Sequence, residues 1–333
     1  MRSDPVRRRG GDREGMALLT VLLMVAVMAA IAVLVLDDVR FSIRRATNAA
    51  TLGQAQWYAL GAEALARRQI NRLNRADPAR TPLTPDWNGR PLAFPIEEGE
   101  LRAVVTDGQA CFNLNSVVQG AGETLTARPR GALQLVALGR AVGVDEGRMR
   151  GIADALTDWI DTDQSPLPRG GEDGAYAGRA EPYRTGGTLL AEVSELRAVK
   201  GVDADAYRRL RPYLCALPYT QLSPINPNTL RPDQAPLLIM LSEGRLSPQA
   251  ARSAIAARPA GGWTDIGAFW NQPALSAVAP ASEVYDQLTL RTRFFALRID
   301  VDYGGARAVR TSLLQITADG SVRPVIQRWT PDE

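Results

Sequence analysis

Histidine is missing altogether from the 333 residues. With it go imidazole general bases, Ser-His-Asp and Cys-His nucleophile systems and histidine metal ligands, so most hydrolase chemistries are excluded. Cysteine is nearly as scarce. Cys111 and Cys215 are too few for a structural zinc site and enough for one disulfide in an oxidising compartment. A dominant charge is lacking too: 39 Lys and Arg against 36 Asp and Glu leave a net +3, too little to demand a nucleic-acid partner. The composition that remains, 45% apolar and 23% charged, is ordinary for globular protein and rules out disorder and collagen-like repeats. The length suits two domains of roughly 100 to 200 residues each.

One apolar run stands apart. From Met16 to Leu36 the chain reads MALLTVLLMVAVMAAIAVLVL, with Thr20 its only polar member. As a helix it spans about 30 Å, the thickness of a bilayer's hydrocarbon core. Arg2, Arg7, Arg8, Arg9 and Arg13 precede it and Asp37 and Asp38 follow it, so the positive-inside rule puts the leader in the cytoplasm and translocates the rest. A cleaved secretory signal fits less well, because its apolar region is about 7 to 15 residues and ends at a small-residue cleavage site. No proline occurs between Met16 and Asp77, and Ile43, Ala46, Ala50, Gly53, Trp57, Leu60 and Ala64 recur at alternating threes and fours. That spacing predicts one helix about 90 Å long, with Arg44, Arg45, Arg67 and Arg68 on or beside its wet face. A membrane anchor with a separate linker helix is the plainer alternative.

The basic leader ending in Gly15, followed directly by Met16-Ala17-Leu18-Leu19, resembles the processing site of type IV prepilins and type II secretion pseudopilins. The resemblance implies that a membrane-embedded prepilin peptidase cuts between Gly15 and Met16 and that the new amino terminus is methylated. The fifth mature position, nearly always glutamate in these families, is Thr20 here. A carboxylate inside a bilayer costs roughly 2.5–3.5 kcal/mol, recovered in the family by pairing with a neighbour's amino terminus. A subunit at the tip has no neighbour above it, which points to the minor pseudopilin K.

Beyond Asp77, Pro78, Pro82, Pro85, Pro91 and Pro95 read as a loop between stalk and sheet. Leu101 to Thr106 and Gln109 to Leu114 flank Asp107-Gly108, a hairpin signal. Phe294 to Tyr303, Ala306 to Thr317 and Val322 to Trp329, separated by Gly304-Gly305 and Asp319-Gly320, predict a three-stranded antiparallel meander. Between them helical periods dominate: Leu133, Leu135, Leu138 and Val142, then Met149, Ile152, Leu156 and Trp159, then Leu196, Val199, Tyr207 and Leu210. FNLNS at Phe112 to Ser116 echoes INPNT at Ile225 to Thr229, a weak sign of duplication, and Ser116 and Thr229 are placed as helix caps.

These phrases, with DALTDWIDTDQSPLPRGGEDGAY from Asp154 to Tyr176, PYR at Pro182 and SELRAVKGV at Ser194, resemble the pseudopilin K family through most of the chain. The expected fold is α+β, pilin-like: a long N-terminal helix packed on an antiparallel sheet, with a large α-helical domain inserted between strands. The expected organisation is a leader over 1–15, a transmembrane and stalk helix over 16–76 with the span at 16–36, a first β part over 77–119, the helical insert over 120–288 and a second β part over 289–333. The resemblance implies a non-enzymatic, single-pass inner-membrane subunit, its N-terminus cytoplasmic and its bulk periplasmic. It would cap the pseudopilus, help initiate its assembly, and contact the I and J type minor pseudopilins and the major pseudopilin.

Acids concentrate after the Trp159 helix: Asp161, Asp163, Glu172 and Asp173, among Pro166, Pro168, Gly170 and Gly171. With Asp161 as position 1, Asp163, Ser165 and Glu172 fall at 3, 5 and 12 as in an EF-hand loop, yet Pro166 replaces the turn glycine. From pattern alone a divalent-ion site and a solvated acidic loop both remain open. The resemblance favours structural calcium on Asp161, Asp163, Glu172 and Asp173. Cys111 and Cys215 are read as a disulfide tying insert to β core or as two separate buried thiols. A rival function rests on SELRAVKGVDADAYRRLRPYL, loosely like a DNA-binding helix-hairpin-helix unit, but Asp203 replaces its second glycine and would repel phosphate. No nucleophile-base set supports an enzyme.

Overall fold

The computed structural model describes residues 11–122, 124–276, 278 and 282–330; most of the leader lies outside them. Helix α1 (Gly11–Ala76) runs 66 residues without interruption, about 99 Å, because no proline breaks it. The membrane-length stretch Met16–Leu36 is wholly exposed. Only the last third of α1 packs. Ala55, Ala59, Glu63, Ile70 and Leu73 are buried, and small residues at four-residue spacing let the helix lie close on a sheet. The predicted seam is not this face. Ile43, Trp57 and Ala64 are exposed, Trp57 by 71%, and at about 100° per residue the seam lies roughly opposite the packed side. The periodicity could not show that a glutamate belongs to the buried stripe.

Strands β1 (Pro91–Ile96) and β2 (Gly99–Asp107) form a hairpin, with Glu98 at φ 58° in its turn. A side chain on Gly99 would put its Cβ 1.9 Å from the Asp302 carbonyl oxygen, so the close approach requires glycine. This hairpin corrects two expectations. Pro91 and Pro95 stand in a strand because it is an edge strand, where a missing N–H costs no ladder bond. Asp107-Gly108 is not a hairpin turn but the point where the chain leaves the sheet.

There the insert begins. It contains β3 (Phe112–Asn113), the short hairpin β4 (Val118–Ala121) and β5 (Thr124–Ala127), α2 (Pro129–Ala141), α3 (Glu146–Ile160), α4 (Asp173–Tyr176), α5 (Ala204–Leu210), β6 (Leu214–Cys215), α6 (Ala235–Leu241), α7 (Pro248–Ala256), α8 (Ile266–Trp270) and α9 (Ser282–Gln287). The chain then returns as the meander β7 (Phe294–Tyr303), β8 (Ala306–Ile316) and β9 (Val322–Arg328), at the positions the sequence predicts. The sheet order is β1-β2-β7-β8-β9, all antiparallel. The insert therefore departs from and returns to adjacent strands. The fold is the expected α+β arrangement.

Two separate cores result. One joins α1 to the sheet through Ala55, Ala59, Ile70, Leu101, Phe295, Ile299 and Val301. The other fills the insert from Ala110 to Leu288, including Phe112, Leu135, Leu156 and Leu237. Residues 110–119, expected with the first β part, thus belong to the insert. Cys111 and Cys215 are bridged at 2.03 Å, with β3 and β6 pairing in parallel beside them. Both cysteines lie in the insert, so the bridge closes its neck instead of tying it to the sheet.

The two asparagine phrases are built alike. Asn113 Oδ1 accepts from Asn115 N–H and Asn226 Oδ1 from Asn228 N–H. Asn115 clasps the Leu190 backbone through both its amide atoms, and Asn228 does the same at Trp263. Ser116 and Thr229 do not cap helices. Their hydroxyls donate to the Asn113 and Asn226 carbonyls, tightening the same turns.

Candidate metal centre

Helix α3 carries the acid loop. Asp145 caps its start, accepting from Arg148 N–H at 2.8 Å, and Ile152, Leu156 and Ile160 bury it. Asp161 ends it. Asp163 Oδ1 accepts from Ser165 N–H at 2.8 Å, bending the chain back. Asp158, fully buried on α3, accepts from the N–H groups of Leu167 at 3.1 Å and Gly171 at 2.6 Å, and Asp154 from Arg169 N–H. A Cβ on Gly170 would fall 1.9 Å from Asp158 Oδ2, so glycine is needed where the loop crosses that carboxylate. Lys200, the chain's single lysine, holds the Gly170 carbonyl from outside at 2.6 Å.

This folding brings Asp161, Asp163 and Glu172 together, with one oxygen of each within 4.8 Å of the others. Asp161 Oδ1 and both Glu172 carboxylate oxygens are buried without a hydrogen-bond partner among the described residues. Burial, with the charges of Asp163 and Asp158, pushes Asp161 up to about 7. Burial, then Asp158, Asp161, Asp163 and Asp173, raises Glu172 to about 7. A buried carboxylate oxygen with no donor is costly, as at Asp161 and Glu172, and the negative charge of the exposed Asp163 beside them adds repulsion. Oxygens placed 2.3–2.6 Å around a hard divalent cation lie no more than about 5 Å apart, so the cluster fits calcium in donor type and spacing. Softer metals have no nitrogen or thiolate donor among these residues.

Asp173 is not brought into the cluster. It opens α4, and its Oδ1 accepts from the N–H and hydroxyl of Thr185, which hold its carboxyl below the usual range with Arg184 nearby. Asp154, Asp158 and Lys200 escaped sequence reasoning. Asp158 had a signal, a lone acid among Ala155, Leu156, Trp159 and Ile160 on a helix whose apolar stripe it interrupts.

At the other end, Gly15 and Met16 lie within α1. Thr20 donates its hydroxyl to the Ala17 carbonyl at 2.9 Å, satisfying itself inside its own helix. In the segment of the rival DNA-binding reading, Asp203 caps α5 through Ala206 N–H and pairs with Arg148 at 2.7 Å. That carboxylate fills the place a phosphate would take.

Family profiles described as type II secretion system (T2SS), protein K, match residues 110–219 and 225–291, which are the insert. Type II secretion system protein K of Klebsiella pneumoniae is 38% identical over 327 residues, 96% of this chain and 99% of the relative. The chain belongs to the type II secretion system protein K family. The protein K of Pectobacterium carotovorum is 35% identical, covering 95% of this chain and 96% of its own. Among solved structures, a chain of the GspK-GspI-GspJ complex from enterotoxigenic Escherichia coli superposes with a TM-score of 0.75 at 31% identity, over 86% of this chain and 99% of that one. As a protein K it is a minor pseudopilin of type II secretion, a structural component of that system, and its N-terminal apolar helix, the one of membrane-spanning length among the described residues, fits a single-pass membrane anchor.

Proposed function

We propose that this protein K caps the pseudopilus tip and helps start its assembly, in complex with the I and J type minor pseudopilins and above the major pseudopilin. Thr20 carries the reading. A hydroxyl bonded to its own helix asks nothing of a neighbour's amino terminus, so the subunit is stable in lipid or in a bundle with no protomer above it. Below it, the exposed seam of Ile43, Ala50 and Trp57 offers an apolar stripe against which other stalk helices pack. The insert is folded around its own core, and its bulk would crowd the space where a further subunit would add. That GspK was solved together with GspI and GspJ supports the choice of partners.

On this reading a prepilin peptidase cuts between Gly15 and Met16 and the new terminus is methylated. The helix then anchors in the inner membrane with its leader side cytoplasmic and the two folded cores periplasmic. Calcium, bound by Asp161, Asp163 and Glu172, would supply the positive charge these carboxylates lack. The chain's own part is to hold them converged, through Asp154 and Asp158 on the loop backbone and Lys200 on Gly170.

The test mixes the full-length chain in detergent with its own I and J type partners at micromolar concentration. Stable co-elution of all three is expected; a protein K that elutes alone removes the tip role. Mass spectrometry of Gly15→Val in cells is expected to find the leader retained, whereas normal trimming would remove the prepilin assignment.

A further inference from the structure

Just past the apolar span, α1 carries three arginines in six residues, Arg40, Arg44 and Arg45, with Phe41 among them. From Val39 to Ala62 there is no acidic residue. At about 100° per residue the three arginines and Phe41 share an arc of about 140°. Val39, Ile43, Ala46, Ala50 and Trp57 occupy the opposite side, so the basic arc and the apolar seam divide the helix between them.

Height along the axis is equally specific. Arg40 lies about 6 Å beyond Leu36, and Arg44 and Arg45 about 12–14 Å beyond it, at 1.5 Å per residue. Helical side chains lean toward the N-terminus, here toward the membrane. The structure has that lean: the Arg45 guanidinium sits over the Phe41 ring, 5.7 Å from its centre, and Arg40 reaches back to Asp37 at 4.0 Å. One turn of lean lowers the Arg44 and Arg45 guanidinium groups to about 6–8 Å above the apolar span. A headgroup layer is about 5–8 Å deep on each side of the hydrocarbon core. The side chains are exposed, and Phe41, 60% exposed, lies on the same turn of the helix.

We propose that Arg40, Arg44 and Arg45 form a collar that binds phospholipid headgroup phosphates on the translocated side of the bilayer. The collar fixes the depth of the stalk and its rotation, turning the arginines to lipid and the seam toward neighbouring helices. Guanidinium is suited to this, since its planar fork pairs with two phosphate oxygens. The collar rests on α1 being a membrane anchor and adds a ligand and an orientation to it.

The experiment uses the full chain with Ser42→Cys, whose thiol is the only free one because Cys111 and Cys215 are bridged. A spin label on it reports depth in vesicles of phosphatidylethanolamine and phosphatidylglycerol. Replacing Arg40, Arg44 and Arg45 together by Gln is expected to move the label by about one helical turn, about 5 Å, while the chain stays resistant to alkaline extraction. Replacement by Lys is expected to keep the original depth. Equal depth in the parent and the Gln variant overturns the collar and leaves the anchor standing. Alkaline release of the parent itself overturns the anchor, and the collar with it.

Discussion

Two buried acid sites, one under the sheet and one in the insert, are answered in opposite ways. Glu63 of α1 is 5% exposed, and its oxygens meet Arg310 at 2.6 Å, Ser312 at 2.7 Å and Gln327 at 2.7 Å. Burial alone would raise its pKa, but these partners outweigh burial and leave it below the ordinary value. Arg310 is itself buried, with the Trp329 ring 4.6 Å away. Asp161 and Glu172 have carboxylate oxygens with no donor among the described residues, and their pKa values rise to about 7. The first site is complete within the chain and pins the stalk to the sheet at one register. The second has oxygens without a donor among the described residues, and the cation proposed above would supply the missing charge.

The contrast breaks most visibly at Glu63. Glu63→Ala leaves Arg310 buried without its counter-charge and is expected to cost about 3–5 kcal/mol in a denaturant titration, with or without calcium. A loss under about 1 kcal/mol would mean that the pair does not hold the stalk.

Asp107 sharpens the comparison as an intermediate case. It is buried where the insert leaves the sheet and accepts from Gln109 N–H and the hydroxyls of Thr229 and Thr292, all neutral donors. Burial outweighs these bonds and lifts its pKa from 3.8 to about 6. The folded state therefore holds the proton longer than the unfolded chain does. Its contribution is full below about pH 4 and is lost as pH rises through 6. Relative to Asp107→Asn, the parent is expected to lose about 3 kcal/mol of unfolding free energy between pH 3 and pH 7. A flat difference would refute this.

For the insert site, calcium at a hundred times its dissociation constant is expected to stabilise the parent by about 2.7 kcal/mol in thermal unfolding. Asp161→Asn with Glu172→Gln is expected to abolish that gain and, in chelator at pH 8, to be more stable than the parent because the repulsion is gone. An unchanged calcium response would remove the site. The smallest effect is expected at Asp173→Asn, a loss within the range of ordinary surface substitutions and a calcium response like the parent's, since its carboxylate serves Thr185.

How much was legible follows from which forces act locally. The span, the unbroken stalk and the β7–β8–β9 meander rest on apolar runs, absent prolines and glycine turns, all written in consecutive residues. Three of the four proposed ligands converge for the same reason, a loop of fixed length after α3. The partner of β2 was misjudged because strand pairing is decided by what packs across space, and a proline-bearing edge strand looks like a loop in isolation. The stalk's buried face was misjudged because Glu63 is apolar only in company, with Arg310 247 residues away supplying the charge. The same holds for Asp173, whose partner Thr185 has no mark in the sequence.

Gln109 marks the doorway of the insert: its amide donates to the carbonyls of Pro224 and Arg291 and accepts from the N–H groups of Arg293 and Phe294. Because Asp107 and Phe295 still face one another across β2 and β7, everything between them hangs from the sheet like a bag closed by a drawstring. Lengthening, trimming or exchanging the chain inside that bag would therefore leave every stitch of the β2–β7 seam, and of the sheet that carries the stalk, in place.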